Sequence, residues 1–205
     1  ILALSDEMDT RLSEMTGEMR GPLLVGARTT IAEFMLPRVL GEFNALYPQV
    51  RARLIVANSE SIENRVAEHT IDVGLIEAPA KLGGLNSHIC CEDELRVICA
   101  PDYPLAGMEA VTPKALEDYE FISREPGSGT REITDAYFRR HHVAPENLKM
   151  QMELGSPEAL KGVVSTGLGF AIVSRAVVDK ELQLGELAAI PLNPPLTRSL
   201  YLVYS

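Results

Sequence analysis

The sequence has no tryptophan, only three cysteines, and 5% aromatic residues in 205. Three is an odd number and no two of them form a C-x-x-C pair. That argues against a disulfide framework or a zinc site and favours a reducing, cytoplasmic compartment. No uncharged apolar run approaches the roughly 18 residues that span a bilayer, so no membrane partner is expected. Positive charge is also short: 19 Lys and Arg stand against 29 Asp and Glu, a formal charge of −10. A surface that acidic repels phosphate backbones, and the chain alone is expected to be a poor nucleic-acid binder. What is present is ordinary globular stock, 46% hydrophobic and 23% charged, in a length that fits one large domain or two lobes of about 100 residues. Residue 1 is Ile rather than Met, so a native N-terminus, with any signal on it, can lie outside this sequence.

Residues 1–20 form a segment of their own. Ile1, Leu4, Met8, Leu12, Met15 and Met19 recur at three- and four-residue steps, the narrow seam of an amphipathic helix that packs on a partner or folds back on its own domain. Gly21-Pro22 ends it. From Leu23 the pattern alternates. Leu23–Ala27, Arg51–Ala57 and Asp72–Ile76 read as strands, with helices over 31–47 and 60–69 between them. Ile89–Cys91 and Leu95–Cys99 read as a hairpin around a solvated acidic turn, Glu92-Asp93-Glu94. After the break at Pro101–Pro104, strands at 120–123, 149–154 and 170–173 alternate with helices at 130–141 and 157–166. Two further strands, 187–192 and 199–203, follow. Strands alternating with helices of this length indicate βαβ units. The expected fold class is α/β, with two Rossmann-like lobes: residues 21–99 plus 196–205, and residues 100–195.

The junctions between strands and following helices share one chemistry. They carry Thr29-Thr30, Asn58-Ser59, Pro126-Gly127-Ser128-Gly129-Thr130-Arg131 and Gly155-Ser156-Pro157. Hydroxyl N-caps explain part of this: Thr30 with Glu33 fits a capping box, and Ser156-Pro157 fits N-cap and N1. Strand-to-helix turns also gather at the carboxyl edge of a parallel sheet, where helix N-termini favour anions. Around Ser128, two glycines allow close backbone approach and Arg131 supplies a guanidinium fork, unless it pairs with Glu125 or Asp135. The segment is not a P-loop, since spacing and lysine are wrong. Gly167-Leu168-Gly169 follows a helix and precedes a strand, and reads as a helix C-cap rather than a dinucleotide fingerprint.

The run Gly26-x-x-x-Thr30, Leu36-Pro37, Phe43-x-x-x-Tyr47-Pro48, Ile71–Ile76, Pro126–Arg131 and Gly167–Ser174 resembles the effector-binding region of LysR-type transcriptional regulators. Within them it is most similar to the subgroup regulating the Rubisco operon and sulfite reductase genes. The resemblance covers about Gly21 to the end. It implies a fold like the type 2 periplasmic binding proteins, two lobes around a cleft. It also implies effector contacts at Arg28, Thr29, Thr30, Ser59, Ser128, Gly129, Thr130, Arg131 and Ser156, with Phe170 nearby. Arg28 departs from the small residue usual at that place, and a terminal helix usual in the family is absent after Ser205. By the same resemblance, residues 1–20 end a linker helix that pairs subunits into a homodimer, tetrameric in the full-length protein. DNA binding would belong to a winged helix-turn-helix upstream of this sequence.

The reading is therefore a sensor of a small anionic metabolite, without catalytic residues, metal or cofactor. The alternatives are a free-standing solute-binding protein or a small-molecule enzyme of the same two-lobed fold. For an enzyme the candidates are thin. His141-His142 sit at a helix end, and His69 and His88 lack patterned partners. Cys90 and Cys91, adjacent on a strand, should point to opposite faces, with Cys99 on the next strand.

Overall fold

A computed structural model describes residues 19–205. The helix expected over residues 1–20 lies, Met19 and Arg20 apart, outside the described residues. Two compact units divide the chain: residues 1–91 with Ser199–Ser205, and Glu92–Arg198.

In the first unit, β1 (Gly21–Ala27) lies parallel to β2 (Val50–Val56) on one side and β3 (Val73–Ile76) on the other, and β3 pairs antiparallel with β9 (Leu196–Tyr204). Alternate residues face opposite sides of the sheet. Val25, Ala27 and Leu200 pack with Ile31, Ala32 and Leu36 on one face. Ile76 and Val203 pack with Ile62, Val66 and Ile71 on the other. Helix α1 (Leu36–Leu46) therefore covers one face and α2 (Ser59–Ala67) the other. Burying a side chain of Val, Leu or Ile size is worth about 1.5–3 kcal/mol each, which is what holds these helices down.

The approach to α1 corrects one expectation. Thr30 has helical dihedrals, φ −61° and ψ −44°, and caps nothing with its side chain. An N-cap needs an extended backbone, and the chain is already helical here: Ala32 N–H reaches the Arg28 carbonyl at 2.8 Å. A wide π-type turn, Ile31–Met35, then leads into α1.

The second unit holds the parallel pair β5 (Glu120–Arg124) and β6 (Lys149–Leu154), and an antiparallel set in which β4 (Asn86–Cys99), part of this unit from Glu92 onward, is flanked by β7 (Ala171–Ser174) and β8 (Ala188–Ile190). Helices α3 (Gly129–Arg140) and α4 (Pro157–Val164) follow β5 and β6, and α5 (Asp179–Leu184) follows β7. Tyr137, Phe138, Phe121 and Phe170 centre the core. Gly169 is required by a close approach: a Cβ there would lie 2.3 Å from the Glu120 carbonyl oxygen, where Phe170 and Phe121 bridge.

The expected hairpin is a single strand. β4 runs unbroken through Glu92-Asp93-Glu94, so Cys99 shares a strand with Cys90 and Cys91. Asp93 is buried rather than solvated, because Arg198 and Ser174 supply the partners its carboxylate needs.

Candidate functional site

Each unit places hydroxyl-bearing helix starts at the carboxyl ends of adjacent parallel strands. In the first unit, Ala27 of β1 is in register with Val56 of β2, which brings the two junctions side by side. Arg28 Nη1 donates to Ser59 Oγ at 3.2 Å. The cap of α2 is Asn58, whose Oδ1 accepts from Ser61 N–H at 2.8 Å; Ser59 is the first helical residue. Thr29 is half-buried and Thr30 buried. The structure thus brings Arg28 and Ser59 together directly, with Thr29 and Thr30 next to them in the chain.

In the second unit, Gly127 turns the chain with φ +88°, a conformation side chains disfavour. Ser128 then caps α3: its Oγ accepts from Arg131 N–H at 3.4 Å. Ser156 caps α4 through Ala159 N–H at 3.1 Å. Thr130 is buried, and its carbonyl accepts from Thr134 Oγ1 at 2.7 Å. Gly129 is the first residue of α3. The Ser156 cap matches the sequence expectation; Ser128, expected only as a hydroxyl in the loop, is a cap because Ser in an extended backbone is a favoured N-cap.

Arg131 is engaged. Its Nη1 donates to Glu153 Oε1 at 2.8 Å and to the Arg124 carbonyl at 3.2 Å, and its Nε stands 3.8 Å from Asp135. Of the two carboxylates that sequence proximity offered, Asp135 is near it. Glu125 instead takes a bidentate pair from the neighbouring Arg124, at 2.9 Å on each oxygen. That hydrogen-bonded Arg124 holds Glu125 below the usual carboxylate pKa, against a smaller effect of burial. Asp135 moves the other way, because burial outweighs the attraction of Arg131 and Arg139. Arg124 and Glu153 carried no signal in the sequence. Glu153 meets Arg131 only because parallel pairing sets β6 beside β5.

Phe170 has no accessible surface. Its ring packs against Phe121, centroids 5.0 Å apart and tilted by 31°, and its side chain contributes to the core of the second unit, not to a ligand surface. Beneath α3, a cavity of about 10 Å³ is lined by Ser123, Arg124, Thr130, Thr134 and Asp135 among others. That is about the space one water needs, too small for a metabolite. Among the described residues no three His, Cys, Asp or Glu side chains are grouped to hold a metal ion, and no helix is long and apolar enough to cross a membrane.

Residues 16–205 match the family described as LysR substrate binding domain. The chain belongs to that family. It is 38% identical over 200 residues to an uncharacterized HTH-type transcriptional regulator, YeiE, of Escherichia coli K12, covering 97% of this chain and 67% of the relative. It is 34% identical to the RuBisCO operon transcriptional regulator of Acidithiobacillus ferrooxidans, covering 94% and 62%. The chain thus spans about two thirds of the length of these curated relatives. Among solved structures, the Synechocystis CcmR regulatory domain, described in complex with 2-PG, is 34% identical. It aligns with a TM-score of 0.78 over 90% of this chain and 87% of that one. Corynebacterium glutamicum OxyR, at 22% identity and a TM-score of 0.84, shares the fold. The α/β fold is that of the LysR-type effector-binding domains, the two-lobe periplasmic-binding-protein-like class.

Proposed function

We propose that this chain is the effector-sensing part of a LysR-type transcriptional regulator, and that its effector is a small anion: a carboxylate, phosphate ester or inorganic oxyanion. The observation that carries the reading is the set of helix starts at strand carboxyl ends. They are Arg28–Thr30 and Asn58-Ser59 in one unit, Ser128–Arg131 and Ser156 in the other. Helix N-termini offer unpaired N–H groups and partial positive charge, and here they operate against a net charge of −10, so the attraction is local. Arg131 serves twice in this reading, holding β6 through Glu153 and presenting part of its guanidinium to the anion. The relative from Synechocystis, named as a regulatory domain in complex with 2-PG, supports a small-molecule ligand. The named relatives are transcriptional regulators, which favours sensing without turnover over an enzyme or a free-standing solute binder. The regulator acts in the cytoplasm as a homo-oligomer, and reads DNA through a winged helix-turn-helix outside this sequence.

Calorimetric titration with a panel of metabolite anions and their neutral isosteres tests the site. We expect saturable binding of an anion, none of its neutral isostere, and about a tenfold loss in Arg131→Lys, because a charged hydrogen bond is worth about 1.5–3 kcal/mol. Equal affinity for both ligands, or no effect of Arg131→Lys and Thr30→Ala, overturns it.

A further inference from the structure

The cysteine pair lies outside the proposed effector site and has its own geometry. Successive side chains of an extended strand project to opposite faces. Yet Cys90 Sγ and Cys91 Sγ on β4 lie 3.9 Å apart, and both residues are exposed. Cys90 Sγ also donates to the Leu200 carbonyl at 3.3 Å, which fixes its direction. Cys99, the remaining cysteine, is buried.

The separation discriminates between two fates of a thiol pair. A disulfide needs sulfurs about 2.05 Å apart, so this pair has to close by nearly 2 Å along a β-strand. One bridging atom with bonds of about 2.3 Å to both sulfurs, at the roughly 95–100° angle of a pyramidal trivalent centre, needs them about 3.4–3.5 Å apart, so the pair has to close by only about 0.5 Å. The bridging atom must supply its other ligands itself, since no third His, Cys, Asp or Glu is grouped there among the described residues. A divalent metal seeking four protein donors is poorly served. Anionic thiophiles are repelled by Glu92 and by a net charge of −10.

We propose that Cys90 and Cys91 form a two-thiol site for a neutral trivalent arsenical. Two S–H bonds break and two As–S bonds form. Each thiol proton leaves with an arsenic-bound hydroxyl as water, and no electrons change hands. The third arsenic substituent points to solvent.

The test uses the whole chain, reduced, with phenylarsine oxide as the probe. Mass spectrometry should find one phenylarsenic group per chain. Alkylation after unfolding in denaturant, followed by peptide mapping of that species, should find Cys99 as the only thiol left to label. Cys90→Ser and Cys91→Ser each leave one thiol at the pair, and uptake should weaken about a hundredfold or more as the chelate is lost. Two independent arsenic groups per chain, uptake centred on Cys99, or full uptake by Cys90→Ser overturns the proposal. So does a wild-type chain that closes to a Cys90–Cys91 disulfide in air but takes no arsenical. The wild-type mapping decides the matter even if a serine variant fails to fold.

Discussion

Arg198 Nε donates to Asp93 Oδ2 at 2.9 Å, and with side-chain exposures of 1% and 6% the pair is closed off from water. Ser174 Oγ donates to the other carboxylate oxygen at 2.7 Å. The two residues are 105 positions apart, near the two ends of the second unit, so the pair fastens together the strands by which the chain enters and leaves it.

Removing one partner of such a pair should cost far more than removing both. Asp93→Ala removes the carboxylate that faces a buried guanidinium, and we expect a loss of about 3–5 kcal/mol in urea unfolding. Asp93→Leu combined with Arg198→Met should recover most of it. A loss below about 1 kcal/mol in the single variant is what an exposed pair gives, and sinks the assignment.

Gly169→Ala should destabilise the second unit by about 1–3 kcal/mol, the usual range for overpacking. The obstruction is backbone: the new Cβ meets the Glu120 carbonyl oxygen and carbon at 2.3 and 2.8 Å. Gly162→Ala, where nothing lies within 4 Å of a new Cβ, is the control. Equal unfolding midpoints for the two variants contradict the close approach.

Alkaline pH should loosen the fold in a defined window. Burial, helped by Asp102, raises the Cys99 thiol from its ordinary 9.0 to about 11. Burial raises Tyr137 from 10.0 to about 12, against Arg140. Both groups hold their protons more tightly folded than unfolded. Their stability contribution is therefore complete below pH 9 and is lost as pH climbs through 11 to 12. Unfolding midpoints should be flat between pH 7 and 8.5 and fall beyond. Rapid alkylation of Cys99 in the native chain at pH 8 is the contrary result.

Glu153→Gln tests the double duty of Arg131. The pair is part-exposed, with side-chain exposures of 20% and 43%, so its own worth is about 0.2–1 kcal/mol. Releasing the guanidinium from a competing carboxylate should tighten anion binding about two- to fivefold by calorimetry, with little change in unfolding midpoint. Weaker binding means that Glu153 orients Arg131 rather than competing for it.

The local features were legible in the sequence, and the distant pairings were not. Ser156 announced its helix (Ser128, which caps α3, stood out only as a hydroxyl between glycines), because an N-cap is a matter of three or four residues. The alternation of apolar runs and helices gave the α/β class for the same reason. Thr30 misled, since a threonine three residues before a glutamate looks like a cap whether or not the chain is already helical. Three consecutive acids at 92–94 look solvated until Arg198 arrives on another strand. Adjacent cysteines on a strand look divergent, yet the two sulfurs stand 3.9 Å apart. At the candidate site, the hydroxyls and Arg131 stood out by type and spacing. Glu153 did not, because only the register of two parallel strands makes it a neighbour.

The first unit is interrupted in sequence by the whole of the second, and β9 is the strand that completes it beside β3. On a ribosome adding about 5–20 residues per second, β3 emerges of the order of ten seconds before its antiparallel partner. During that interval β3 presents unpaired backbone N–H and C=O groups, a template for strands of other nascent chains. The continuous second unit can close meanwhile. Assembly in the cell should therefore run in reverse of reading order, the later-encoded unit first, and slow translation past Arg198 should lower the yield of soluble protein.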